Sequence, residues 1–148
     1  MTTAPDPSFD ALLPPDMASK VVQVGVAKAS LPLRRLVPLG VLAGAFIGLG
    51  ANFSTVITAD TAISPGIARL LGGLVFSLGL VLVVVSGAEL FTGNTLISVA
   101  FASRKVTARA LLRNWLVVYV ANFVGAIATA ARSEEHTSEL QSRLHLVC

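Results

Sequence analysis

The sequence predicts an all-α membrane protein of three spans, the second of them broken, and three observations lead there. Of its 148 residues, 54% are hydrophobic and only 13% charged, against about 25% charged in an ordinary soluble domain. Mean hydropathy is +0.79. Residues 36–59, 70–103 and 114–131 are free of charge or nearly so, and a hydrocarbon core of roughly 30 Å is crossed by about 20 such residues.

Residues 1–35 read as an arm followed by a short amphipathic helix. Pro5, Pro7, Pro14 and Pro15 interrupt regular structure at the start. From Asp16 to Ser30, Asp16 is placed as an N-cap, and Val21, Val24 and Val26 give a partly apolar side. This helix is expected on the membrane surface or packed on the body. The acidic, proline-rich start is not a cleavable leader, so the first span itself must direct insertion.

The first span, 36–59, carries Gly40, Gly44 and Gly48 at spacing four. Such a stripe lets a second helix approach closely, where backbone contact and dispersion drive association in lipid. A connection follows, "DTAISPG", with Pro65-Gly66 as turn signal.

Residues 70–103 contain one charge, Glu89. As one straight helix they would extend about 50 Å, too long for one span. They are too few for two spans and a turn, and residues 90–103 are too short to cross alone. A single span with an unwound joint near 87–94 fits, its second half ending at "SRK". The third span, 114–131, has Trp115 as an interfacial aromatic and a second small-residue stripe at Ala121, Gly125 and Thr129.

Charge agrees with this count. Lys20, Lys28, Arg34 and Arg35 precede the first span, and Arg104, Lys105, Arg109 and Arg113 follow the second; Arg69 alone lies between. The positive-inside rule puts the N-terminus and the 104–113 turn in the cytoplasm, which requires that 70–103 cross once. The net charge of +3 reflects these flanks. Without interleaved aromatics it indicates no nucleic-acid partner. The single cysteine, Cys148, and both histidines, His136 and His145, lie in the last residues. No disulfide framework or metal cluster is formed, and neither a cofactor nor enzymatic chemistry is expected.

Within the joint, a lipid-exposed carboxylate at Glu89 would cost about 2.5 kcal/mol or more, so it must face protein or water. It is expected to accept hydrogen bonds from backbone N–H groups freed by the break. Gly87 and Gly93 permit the backbone angles, and Thr92 and Asn94 are placed as N-caps of the second half. That N-terminus would suit a passing anion. Asn114 and Asn122 read as interhelical hydrogen-bonders. By spacing alone, Phe76 and Leu80 share a helix face and read as packing residues.

Four blocks carry a resemblance: "FDALLPPDMASKVVQVGVAKAS", "GAFIGLGANF", "GGLVFSLGLVLVVVSGAELFTGNTL" and "RNWLVVYVANFVGA". In order and spacing, from Phe9 to about Ala131, they resemble the formate/nitrite transporter family. The resemblance implies an aquaporin-like six-helix bundle of two inverted three-span repeats, of which this chain is the first. It also implies a homopentamer with one pore per protomer, in a bacterial or archaeal inner membrane. By matching position, Phe76 resembles the outer constriction, Leu80 a residue between the constrictions or in the inner one, and Leu90 and Phe91 the cytoplasmic-side slit. Thr92 resembles the threonine of the break, which can hydrogen-bond a passing anion; Gly87, Glu89, Gly93 and Asn94 would support the break. The implied substrates are small monovalent anions, formate ahead of nitrite. "FDALLP" leans to formate, and "GAELFTGNTL" resembles the nitrite branch as well. The family's second-half lysine and central histidine have no counterpart here.

After Ala131 the composition changes to "RSEEHTSELQSRLHLVC". "RSEEHTSELQS" resembles a translated sequencing-library adapter, so residues 132–148 are expected to be an appended tail on an interrupted reading frame. The competing functional readings are a small membrane anchor or interaction subunit, packing through its glycine stripes, and a non-functional fragment.

Overall fold

A computed structural model describes the backbone of residues 14–59 and 64–145 and the side chains of residues 15–59 and 64–135. The arm before Pro14, residues 60–63, and the side chains of His136, His145 and Cys148 lie outside the described residues. Six helices follow in order: α1 (Pro14–Ala29), α2 (Leu33–Ala59), α3 (Pro65–Ser86), α4 (Phe91–Asn94), α5 (Ile97–Ala102) and α6 (Ala108–His145). Among the described residues there is no strand. Three helices, α2, α3 and α6, are long and apolar enough to cross a membrane.

Each boundary has a local cause. α1 begins at Pro14, two residues before Asp16, because proline is tolerated in a first turn where the N–H has no helical partner. Asp16 therefore sits in the first turn, favoured by the helix dipole, instead of capping it. α3 starts on Pro65 for the same reason, earlier than apolarity alone indicates. Thr107 caps α6, its hydroxyl accepting from Ala110 N–H at 3.3 Å. From there α6 runs beyond residue 131 to His145.

The glycine stripes do what their spacing implies. Gly40 lies against Ala121, and a β-carbon on Gly48 would stand 3.2 Å from Thr129 Cβ. On Gly44 it would collide with the Asn122 carbonyl, and on Gly125 with the carbonyl of Val41. The α2–α6 pair is thus a backbone-to-backbone seam. α2 meets α3 similarly where Gly50 and Gly79 face one another, a β-carbon on Gly79 coming within 2.7 Å of Phe46 O. α1 packs on the body against α5, where Gly25 admits Ala100. The outer faces remain apolar and open: Val84, Val85 and Leu116 are 72%, 80% and 67% exposed, as expected of surfaces facing hydrocarbon or another apolar partner.

Candidate functional site

α3 ends at Gly87, whose φ of 65° and ψ of 27° are left-handed. Gly87 N–H donates to Val84 O at 3.2 Å and Ala88 N–H to Val83 O at 3.0 Å. This is the Schellman pairing, and glycine occupies it because a β-carbon is disfavoured there. Ala88, the next residue, packs with Val83 and Ala43 in a buried cluster. The chain then runs extended, with Leu90 at φ −94° and ψ 136°. Glu89 N–H crosses to Leu39 O at 3.2 Å, which pins the joint to α2 about 9 Å from that helix's start.

Glu89 is buried, the whole residue 6% exposed. Its partner is Lys28 of α1, whose ammonium donates to Oε2 at 2.8 Å, to Oε1 at 2.9 Å and to Asn94 Oδ1 at 3.1 Å. Asn94 Nδ2 donates to Asn114 Oδ1 at 2.8 Å, and Asn114 Nδ2 returns to the Lys28 carbonyl at 2.9 Å. The ring therefore begins and ends on Lys28. Trp115 Nε1 donates to Asn94 O at 3.0 Å, and the Trp115 ring meets Phe91 edge-on, centroids 6.0 Å apart. Asn122 of α6 accepts from Phe91 N–H at 2.8 Å and donates to Glu89 O and Gly40 O at 2.9 and 2.7 Å.

A cleft of about 430 Å³ opens on this joint, lined by Lys28, Leu80, Val83, Val84, Gly87, Ala88, Glu89, Leu90, Thr92 and Gly93. Of the path residues read from the sequence, the structure brings Leu80, Leu90 and Thr92 together here. Phe91 is not among the lining residues; its ring packs on Trp115 and Tyr119 of α6. Phe76 stands one turn before Leu80 in α3, 41% exposed and outside the cleft. No hydrogen bond joins the Thr92 hydroxyl, or the N–H groups of Leu90, Thr92 and Gly93, to any described residue.

Two local expectations fail. Leu90, without a side-chain cap, holds the N-cap position of α4, so neither Thr92 nor Asn94 caps the second half. That half is also two short pieces, α4 and α5, with a turn at Thr95 and Leu96, so its dipole is divided. Asn94 is 0% exposed and spends its amide on Lys28 and Asn114. Glu89 takes an ammonium instead of freed backbone N–H groups, since Gly87 and Ala88 N–H turn back onto α3.

Residues 15–143 match the profile of the formate/nitrite transporter family. The chain belongs to that family. It is 46% identical to the formate channel FocA of Escherichia coli K12 over 123 residues, covering 82% of this chain and 43% of that one. It is 40% identical to the formate channel BtFdhC of Bacillus thuringiensis over 119 residues, 79% of this chain and 46% of the other. With a probable formate transporter of Methanothermobacter thermautotrophicus, identity is 36% over 121 residues, 79% and 44% of the two chains. The chain thus spans less than half the length of these relatives.

This formate/nitrite transporter chain is a multi-pass membrane protein whose polar centre joins α1, the α3–α4 link, α4 and α6. Two of its members escape sequence reasoning. Lys28 reads as one more positive flank, and only the presence of an unpaired intramembrane carboxylate 61 residues away hints that a cation must come to it. Trp115 reads as an interfacial aromatic, although its N–H is committed to Asn94. Asn114 and Asn122 are the interhelical bonders that their position in an apolar span implies.

Proposed function

We propose that this chain supplies the first half of a pore for small monovalent anions, formate first and nitrite next. The complete assembly is a homopentamer in a bacterial or archaeal inner membrane, the N-terminus cytoplasmic, and passage is passive or proton-coupled. The reading is carried by one observation: the break between α3 and α4 opens on a cleft that pairs the apolar Leu80 and Leu90 with Thr92, whose hydroxyl has no partner among the described residues.

Apolar walls stop hydrated ions, while a weakly hydrated anion or its neutral acid passes. Phe76 forms the outer constriction and Leu90, facing the same cleft as Leu80, the inner one, with Phe91 behind it against Trp115 and Tyr119. Thr92 offers a hydroxyl donor where the anion sheds water, and the broken backbone is tolerated because it borders a path and not lipid. Gly87, Glu89, Gly93 and Asn94 hold the break open. An isolated carboxylate beside this path would repel its cargo; the ion pair of Glu89 with Lys28 removes that objection.

Flux of formate and nitrite through the complete gene product in proteoliposomes tests the reading. Uptake of either anion above protein-free vesicles supports it, and absence of both rejects it.

A further inference from the structure

Asn122 lies outside the cleft and no step of transport calls on it, yet its carboxamide makes more hydrogen bonds to the backbone around the joint than any other side chain there. Leu90 is extended. In an extended residue, the preceding carbonyl and the following N–H point to the same side, where a neighbouring strand would pair with them. Here those groups are Glu89 O and Phe91 N–H, and the Asn122 carboxamide engages both, at 2.9 and 2.8 Å. One side-chain amide stands in for the missing strand. Its remaining hydrogen goes to Gly40 O at 2.7 Å, which orients the amide plane against α2. No other described side chain holds either peptide group that flanks Leu90: Lys28 grips the Glu89 carboxylate, and Trp115 the carbonyl of Asn94.

We infer that Asn122 is a positioning residue that fixes Leu90 against Leu80 and so sets the width of the inner slit, favouring formate over larger carboxylates. The inference rests on the transport reading for its consequence, though not for the clamp itself. The chemistry is that of a wall held in place: with the amide gone, the flanking peptides rotate, Leu90 yields, and a carboxylate with an added methyl group enters.

The test uses Asn122→Leu, which keeps the branched shape of the side chain and removes all three hydrogen bonds. In the 148-residue chain in lipid nanodiscs, amide hydrogen exchange is followed at Glu89 and Asn94, whose own acceptors are Leu39 O and Leu90 O. If Asn122 holds the joint, both amides exchange on the order of tenfold faster, as loss of a net hydrogen-bond contribution implies. Unchanged rates at both, with only Phe91 N–H affected, overturn the clamp. In the complete transporter, the ratio of acetate to formate flux rises several-fold; a wild-type ratio overturns the claim on width. Absence of formate flux in the unsubstituted protein rejects the transport reading instead and leaves the exchange rates to decide the clamp. Should Asn122→Leu lose helicity by circular dichroism, Asn122→Gln, which keeps the amide but displaces it by one methylene, must raise the same exchange rates and ratio; wild-type values overturn the proposal.

Discussion

Lys28 and Glu89 stand 61 residues apart in sequence and form an ion pair in which one ammonium reaches both carboxylate oxygens, at 2.8 and 2.9 Å. The Glu89 side chain is 8% exposed and that of Lys28 22%, so neither charge is well solvated. This pair makes α1 part of the joint and not merely a leader to the spans: the helix closes one wall of the cleft with Lys28. Breaking a buried pair by removing one partner costs about 3–5 kcal/mol, whereas replacing both by apolar groups is often neutral. Lys28→Met should therefore lower the thermal midpoint sharply, and Lys28→Met with Glu89→Leu should recover most of the loss. Thermal denaturation in detergent followed by circular dichroism reads both. A double variant as unstable as the single one would show that the pair is not the source of the loss.

The glycines separate by environment. An alanine at Gly44 puts its β-carbon into the Asn122 carbonyl, and at Gly125 into that of Val41. Either substitution must part α2 from α6, costing about 1–3 kcal/mol as overpacking does. At Gly73 nothing lies within 4 Å of the added carbon, so Gly73→Ala keeps only the helix-propensity gain of up to about 1 kcal/mol. The thermal midpoint should fall for the first two and hold or rise for the third.

What was legible follows from range. The stripe at Gly40, Gly44 and Gly48 is a local repeat, and its period alone points to a close helix neighbour. The break is legible because Leu70 to Ser103 fits neither one straight span nor two, and because the positive flanks require one crossing. The ring of Lys28, Glu89, Asn94 and Asn114 is not, because its members meet only after α1, α4, α6 and the link before α4 pack together. The same limit explains the failed caps: a threonine or asparagine near a helix start is a sound local expectation, but the partly buried Lys28 ammonium competes for Asn94 more strongly than a backbone N–H does.

A second local rule is broken at Arg104. It is the described non-glycine residue with positive φ, 56°. It ends α5 with its N–H on Phe101 O at 2.9 Å and the Lys105 N–H on Ala100 O at 2.9 Å. Glycine is the ordinary occupant of that position, and a side chain there costs about 1 kcal/mol. Because Arg104 is exposed and no described side chain pairs with it, Arg104→Gly should raise stability by about 0.5–1 kcal/mol. Arg104→Val, β-branched in the same conformation, should lower it. Thermal midpoints of the two variants must differ in that order; equal midpoints would mean the turn relaxes out of the left-handed region.

Thr92 gives the sharpest functional test because nothing structural depends on its hydroxyl. The side chain is exposed to the cleft, and no hydrogen bond joins its oxygen to a described residue. Thr92→Val keeps the shape and removes the donor, so stability should stay within about 0.5 kcal/mol. If the hydroxyl meets the anion as it sheds water, one hydrogen bond to a charged group, about 1.5 kcal/mol, is lost, and formate flux should fall roughly tenfold. Thr55 supplies the control. Its hydroxyl donates to Ala51 O at 2.9 Å on the exposed side of α2, away from the cleft, so Thr55→Val should leave flux unchanged. Stopped-flow uptake of formate by the complete transporter distinguishes the cases. Equal flux in Thr92→Val and wild type would reject the hydroxyl as an anion donor, while equal losses in both valine variants would assign the effect to the loss of any threonine and not to the path.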